Sequence, residues 1–433
     1  MEERRLGGLE LFFAIANARH MTSLVGLSAA YNMEITKDIL YPALADCIKN
    51  EPLLGVNVFT HNRKKSNWVV RKLKNIDLDR VVFFDPKQRI DDCLDSINEY
   101  YIPYDDEIHP LWRIWVLGRN ELVFGFDHSI FDGNCGPLFH QMLVERLGMN
   151  KNFDDVSTII PVSIKPLPSP IEELLYVRPS IPWLIGAFYE EVVWPLLPEF
   201  ARQWNGSPPT KPYSSQTILF SLSAGETSAL IKKSKELGLT VSSILSACWM
   251  QAMVQICPEE YRNRPIRYDC DVDLRRYLQE KGFGNWISSY SYELKNYSEQ
   301  AKSGCFISKW AEDFSKGLKH ELASKRSPMM FQIGALSMID LDLFYRGTKR
   351  LTPCEFSNLG AKEVVGPCFK AEHMYFFQGC DTLGPSIQLS VVSVKNGSMA
   401  FALSVSMDND KKTTSYELKC SFLECMTDLL NNH

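Results

Sequence analysis

The sequence predicts an α/β (α+β) chain in two halves, each with helices packed on a largely β core. Three observations predict it. Strand–turn–strand patterns occur in both halves, helix signals lie between them, and a Pro- and Trp-rich stretch divides the chain near its middle. A length of 433 residues suits two or three domains of ~100–200 residues each. The expected division is an N-terminal lobe of residues 1–185, a crossover over 186–215 and a C-terminal lobe over 216–433.

In the first half, Leu40, Leu44 and Ile48 recur at helical spacing after Ile35-Thr36-Lys37-Asp38, and Asn50-Glu51-Pro52 ends that helix. Leu53 to Thr60 and Trp68 to Lys72 read as strands. Trp112 to Leu117 and Glu121 to Phe126 are bulky, β-prone runs around Gly118-Arg119-Asn120, which predicts a hairpin. Asp127-His128-Ser129-Ile130-Phe131-Asp132-Gly133 follows at once, and then Pro137 opens a helical stretch with Leu138, Met142 and Leu143.

Closely spaced prolines, Pro161, Pro166, Pro168 and Pro170, begin the crossover, and Pro208-Pro209-Thr210-Lys211-Pro212 closes it. A helical part, Ile185 to Leu197, interrupts it. The second half restarts with a strand, Gln216 to Leu222. Ser223 with Glu226 three residues on is a capping-box pattern, which starts a helix. After Gly238, Ser242 to Met253 reads as a buried helix. Strands are expected at Ile266–Asp273, Ile287–Leu294, Ile387–Val394 and 399–407, the last two around the hairpin turn Lys395-Asn396-Gly397-Ser398. A final helix runs from Ser415 to Leu430.

Composition removes several function classes. A formal charge of -5 and no long basic run give no reason to expect nucleic acid. The 12 cysteines are scattered without a CxxC pair, which predicts reduced, mostly buried thiols and no metal site. Glu2-Glu3-Arg4-Arg5 before the apolar run Leu6 to Ala18 imitates a secretion signal, but Glu10 inside the run favours a folded element. No apolar stretch reaches the ~18–20 residues of a membrane span. The expected location is cytoplasmic, with peripheral attachment to a membrane or lipid droplet open, and the expected state is a monomer.

The chemical signal is His128-Ser129-Ile130-Phe131-Asp132-Gly133, an H-x-x-x-D-G pattern. A His straight after a strand is held firmly, and neutral imidazole takes a proton near pH 7 because its ordinary pKa is ~6.5. Asp132 before Gly133 can fold back to an Arg elsewhere and lock the loop. His140, His109, His320 and His373 carry no supporting pattern.

Here the chain resembles the fungal alcohol acetyltransferases, a branch of the superfamily that holds chloramphenicol acetyltransferase, plant BAHD acyltransferases and peptide-synthetase condensation domains. Arg5 to Phe13, Glu51-Pro52-Leu53-Leu54 and the Trp112–Leu143 block are similar to that branch. Asp271-Val272-Asp273-Leu274-Arg275 is similar to its "V-N-x-R" strand, and Gly282-Phe283-Gly284-Asn285 to its "F-G-N" segment. Phe356-Ser357-Asn358-Leu359-Gly360 is similar to its "S-N-L-G" loop. Asp127 stands where condensation domains have a second His, and the plant "D-F-G-W-G" sequence is absent.

The resemblance implies two chloramphenicol-acetyltransferase-like lobes, each a mixed sheet flanked by helices, with an active-site tunnel between them. It implies His128 as general base, and Asp132, Gly133 and Arg275 as structural at the site, with Arg275 paired to Asp132. Asn285, Ser289, Ser291 and Ser357 are unranked candidates for the oxyanion donor. Thr240, Ser242, Ser243, Ser357, Asn358 and Gly360 are candidates for contacts to CoA. The implied co-substrate is acetyl-CoA or another acyl-CoA, with no permanently bound cofactor. The implied acceptor is a hydroxyl of a small alcohol or fungal natural product. An amine acceptor, a carrier-bound acyl donor and a non-catalytic binding module of the same fold stay open.

Overall fold

The computed structural model describes residues 2–60, 67–149, 157–197, 203–209, 214–262, 264–279, 281–295, 297, 306–339, 341, 350, 352–382, 384–406 and 411–431. Two mixed sheets carry the architecture. The first runs in the order Ala371–Gln378 (β14), Val25–Tyr31 (β2), Glu121–Phe126 (β8), Trp112–Leu117 (β7), Val82–Asp85 (β6), parallel only between the last two. The second runs Ser215–Leu222 (β10), Met399–Ser406 (β16), Ile387–Val394 (β15), Cys354–Lys362 (β13), Ile266–Asp273 (β11), Ile287–Leu294 (β12). In it β13 lies parallel to both of its neighbours. Glu3–Arg5 (β1), Trp68–Lys72 (β4) and Val56–Thr60 (β3) form a small sheet, and Asn75–Asp77 (β5) pairs with Ile159–Pro161 (β9).

The helices are Gly8–Ala18 (α1), Lys37–Asn50 (α2), Ile90–Asn98 (α3), Cys135–Val144 (α4), Ile171–Leu174 (α5), Ile181–Phe188 (α6), Ala224–Glu236 (α7), Val241–Ile256 (α8), Phe306–Leu322 (α9), Pro328–Leu336 (α10) and Lys411–Asn431 (α11). Each large sheet has its own apolar core. Leu27, Phe124, Phe126 and Ile114 belong to the first, with Leu40, Leu44 and Ile48 of α2. Trp249, Leu389, Phe401 and Leu418 belong to the second. Burying such side chains is the main stabilising term, at ~25 cal/mol per Å2 of apolar surface.

The expected hairpin, the capped helix and the buried helix stand at their places. Ser223 Oγ accepts from the Glu226 amide at 3.3 Å and the Glu226 carboxylate accepts from the Ser223 amide at 2.8 Å. Asn396 takes a left-handed φ of 59° in the β15–β16 turn, a conformation Asn tolerates well. Glu10 has a structural use, because it forms a bidentate pair with Arg4 at 2.7 Å and accepts from the Gly7 amide at the start of α1.

Four local readings change. Pro52–Gly55 is a short 3-10 turn and the strand begins at Val56, because Pro52 sets the backbone and the Glu51 carboxylate takes the Leu53 amide at 3.1 Å. Helix α4 begins at Cys135, two residues before Pro137, because Asp132 accepts the Asn134 amide at 3.0 Å and the Cys135 amide at 2.9 Å. The helical stretch of the crossover begins at Ile181, with Ser180 as its cap. The segment expected as an "S-N-L-G" loop is strand, broken by a bulge between Asn358 and Ala361. Thr210 to Pro212 and Met407 lie outside the described residues.

The sheets do not follow the linear division of the chain. Strand β14, from the second half, pairs with β2 of the first. The Ser404 hydroxyl on β16 donates to the Gln378 carbonyl at 2.6 Å, which ties the end of β14 to the second sheet. Asn98 and Thr217 bond across the two halves at 2.9 Å. Among the described residues no single helix is long and apolar enough to cross a membrane. Replacing Ser223 by Ala should cost about 1 kcal/mol, the usual value of an N-cap. Urea unfolding with the slope unchanged would measure it.

Candidate active site

His128 follows β8 and is held from three sides. Its carbonyl accepts Asn285 Nδ2 at 2.6 Å. Its ring stacks on Phe13 of α1, with centroids 3.9 Å apart and planes at 15°. Its Nδ1 lies 2.8 Å from the Phe131 carbonyl. A carbonyl only accepts, so Nδ1 carries the hydrogen and Nε2 keeps a bare lone pair. Burial pushes the imidazole pKa below its ordinary 6.5, against the opposing pull of Asp132. The preceding Asp127 anchors the turn, accepting from Tyr104 Oη at 3.0 Å and the Ser129 amide at 2.9 Å.

Asp132 is fully buried and turned away to a different partner. Its Oδ2 accepts Arg275 Nη1 at 2.7 Å and the Trp286 amide at 2.9 Å. Arg275 is saturated. Nε reaches the Gly282 carbonyl at 3.0 Å, Nη1 also reaches Asp273 at 3.1 Å, and Nη2 reaches the Gly284 carbonyl at 3.1 Å and Cys135 Sγ at 3.6 Å. A fork of five N–H groups is what such a site needs, and Lys lacks it. Gly133 admits Phe376 of β14, whose ring would sit 2.8 Å from a Cβ built there.

A small cavity of about 40 Å3 opens beside His128, lined also by Gly133, Asp271, Ser357, Asn358 and Phe376. Of the four oxyanion candidates, Ser357 alone lines it. Asn285 spends an N–H on the His128 carbonyl. Ser291 donates to Asp269 at 2.5 Å and accepts from Arg267 at 3.1 Å. Ser289 stands opposite Asp271 in the β11–β12 ladder with its hydroxyl unpartnered.

The CoA candidates divide similarly. Thr240 caps α8 by accepting the Ser243 amide at 3.1 Å, so Thr240 and Ser243 are spent on the helix start. Ser242 accepts Asn358 Nδ2 at 3.0 Å, and Asn358 Oδ1 takes the Gly360 amide at 2.8 Å. The start of α8 and the β13 bulge therefore meet at one wall of the cavity. Gly360 has φ of 75°, which favours glycine. His140 is buried structure: it bonds Tyr31 Oη at 2.6 Å and the Leu27 carbonyl at 3.0 Å, and burial pushes its pKa down to about 4.

Sequence reasoning missed Phe13, Asp271, Glu355, Gln378 and Lys362. Lys362 Nζ donates to Asn134 Oδ1 at 2.6 Å beside the cavity. The signal for the acids was present in Asp269-Cys270-Asp271-Val272-Asp273, where carboxylates alternate along one strand face.

The fold and site thus define a two-lobed α/β protein with an imidazole of fixed tautomer positioned at a cavity between two sheets. The sequence profile of the alcohol acetyltransferase family matches residues 5–427. An uncharacterized protein of Schizosaccharomyces pombe is 35% identical, over 96% of this chain and 94% of that one. A probable alcohol acetyltransferase, crmB, of Aspergillus fumigatus is 21% identical, over 92% of this chain and 94% of that one. The solved trichothecene 15-O-acetyltransferase TRI3 of Fusarium sporotrichioides superposes with a TM-score of 0.71, at 12% identity, over 99% of this chain and 95% of that one. The chain belongs to the alcohol acetyltransferase family, and its fold is the two-lobed fold of these acyltransferases.

Breaking the Asp132–Arg275 pair leaves an uncompensated buried charge. Arg275→Ala should therefore lower stability by on the order of 3–5 kcal/mol, and Arg275→Lys should recover only part of it, both read by urea unfolding.

Proposed function

We propose that the protein transfers an acetyl group from acetyl-CoA to a hydroxyl of a small acceptor, with His128 as general base. One observation carries the reading: the Nδ1 bond to the Phe131 carbonyl leaves the Nε2 lone pair available at the cavity. Nε2 takes the acceptor's hydroxyl proton as its oxygen attacks the thioester carbonyl. A C–O bond forms and a tetrahedral oxyanion develops. The C–S bond then breaks, and the imidazolium returns the proton to the CoA thiolate. The products are an acetyl ester and CoA thiol, and His128 is restored.

Ser357 is the preferred oxyanion donor, because it lines the cavity with His128. Its hydroxyl also serves Asp271, so it would turn from that carboxyl to the oxyanion. Asp132 and Arg275 act on structure, since their bonds run away from the ring. Asn285 is a positioning residue through the His128 carbonyl. Ser242, Asn358 and the start of α8 form the wall offered to the pantetheine arm. Joining both substrates in one cavity supplies much of the rate, because a bimolecular encounter becomes an internal one.

His128→Ala should reduce acceptor-dependent release of CoA thiol by about 10^2–10^4-fold. Equal release by variant and parent would remove His128 as the base. The rate should also depend on pH with a definite sign. The base works as neutral imidazole, which prevails above its pKa, and burial lowers that pKa. Activity should rise with pH through a midpoint below 6.5 and then level off. A pH profile of kcat/KM checks this, and a midpoint above the ordinary His value would contradict it.

A further inference from the structure

Strand β11 carries Asp269, Asp271 and Asp273 at alternating positions, so they share one face. The intervening Tyr268, Cys270 and Val272 are buried on the opposite, apolar face. Asp271 and Asp273 line the cavity with His128. Glu355 stands beside Asp269 in the β11–β13 register. Four carboxyl groups thus adjoin on this sheet, two of them at the cavity.

Two of the four have strong partners. Asp273 bonds Arg275 Nη1 at 3.1 Å. Asp269 takes the Ser291 hydroxyl at 2.5 Å, with Arg267 Nε 3.9 Å away. The other two have only neutral donors or each other. Ser357 and Glu355 serve Asp271, and Gln378 Nε2 serves Glu355 at 2.7 Å. The charged groups that govern both ionisations are carboxylates: Asp269 and Asp132 around Asp271, and Asp271, Asp381 and Asp269 around Glu355. Burial first, and this repulsion second, push Asp271 up to about 6 and Glu355 well above the usual carboxylate range.

A second observation points the same way. Gln388 neighbours Glu355 in the β13–β15 register, is 4% exposed, and has no partner for its Oε1. Gln388 thus adds an amide oxygen without a donor beside the carboxyl groups. Buried acceptors without donors are costly. A ligand that brings N–H groups and positive charge meets that deficit. Asp271 is only half-buried and lines the cavity, with Glu355 behind it.

We propose that this wall is a cation subsite: the acceptor carries a protonated amine that docks against Asp271, backed by Glu355, while its nucleophile, a hydroxyl or a second amine, meets His128. The acceptor class is therefore an amino alcohol or a diamine. Ile287, Leu359 and Phe376, which also line the cavity, suit an apolar stem between the two polar ends. The inference rests on the acyl-transfer reading above.

The test compares 5-amino-1-pentanol with 1-hexanol, which match in size and differ in charge, with products identified by mass spectrometry. The parent protein should favour the amino alcohol in kcat/KM by about tenfold or more, the worth of a charge-assisted hydrogen bond. Asp271→Asn and Glu355→Gln should shrink that ratio through KM for the amino alcohol, with KM for acetyl-CoA steady. A parent without the preference, or variants that weaken both acceptors alike, would overturn the subsite. Acetylation of neither compound would count against acyl transfer itself. The subsite is then judged by binding alone: 5-amino-1-pentanol should raise the melting temperature of the parent and of His128→Ala but not of Asp271→Asn, whose own unfolding curve shows that it folds. No rise in the parent would sink it.

Discussion

Arg275 and Asp132 hold the site together. They are 143 residues apart in sequence, and their bond joins the loop after β8 in the first sheet to the end of β11 in the second. A buried charge pair is costly in itself and is tolerated only when nearly every donor and acceptor is satisfied. Here the guanidinium spends its N–H groups on two carboxylates, two carbonyls and a thiol. Asp132 also caps the turn into α4 and takes the Trp286 amide. One ion pair thereby fixes the ends of the loop that presents His128.

The imidazole benefits indirectly. Its tautomer depends on the Phe131 carbonyl, and that carbonyl is placed by the short loop between Asp127 and Asp132. Its ring plane depends on Phe13, and its backbone on Asn285. The contacts come from α1, from the loop itself and from the segment before β12. Orientation of this imidazole is thus a property of both halves, which is why a site can form where two sheets meet.

Polarity is divided between the faces of the second sheet. Tyr268, Cys270, Phe356 and Leu389 pack into the helices, while Asp269, Asp271, Glu355 and Gln388 face the other way. The apolar face supplies stability, and the polar face is available for chemistry. Strand β14 completes the arrangement. It brings Phe376 and Gln378 to the cavity from the first sheet, although its sequence neighbours belong to the second half.

Local chemistry was legible in the sequence where one short segment decides the outcome. The Trp112–Phe126 hairpin, the Ser223–Glu226 capping box and the Asn396 turn each depend on neighbours a few residues away, and each stands as its residues dictate. The H-x-x-x-D-G motif and its match to Arg275 were legible through family likeness. Tertiary structure decided the rest. The crossing of β14 into the first sheet was not readable, because strand partners are chosen by nonlocal burial. Asn285, Ser291 and Ser357 look equivalent as polar residues, yet only Ser357 lines the cavity, while Asn285 bonds the His128 carbonyl and Ser291 bonds Asp269. The alternating acids of β11 were visible all along. That two of them line a cavity with His128, and that Asp271 lacks a cation, follows only from how two distant sheets come together.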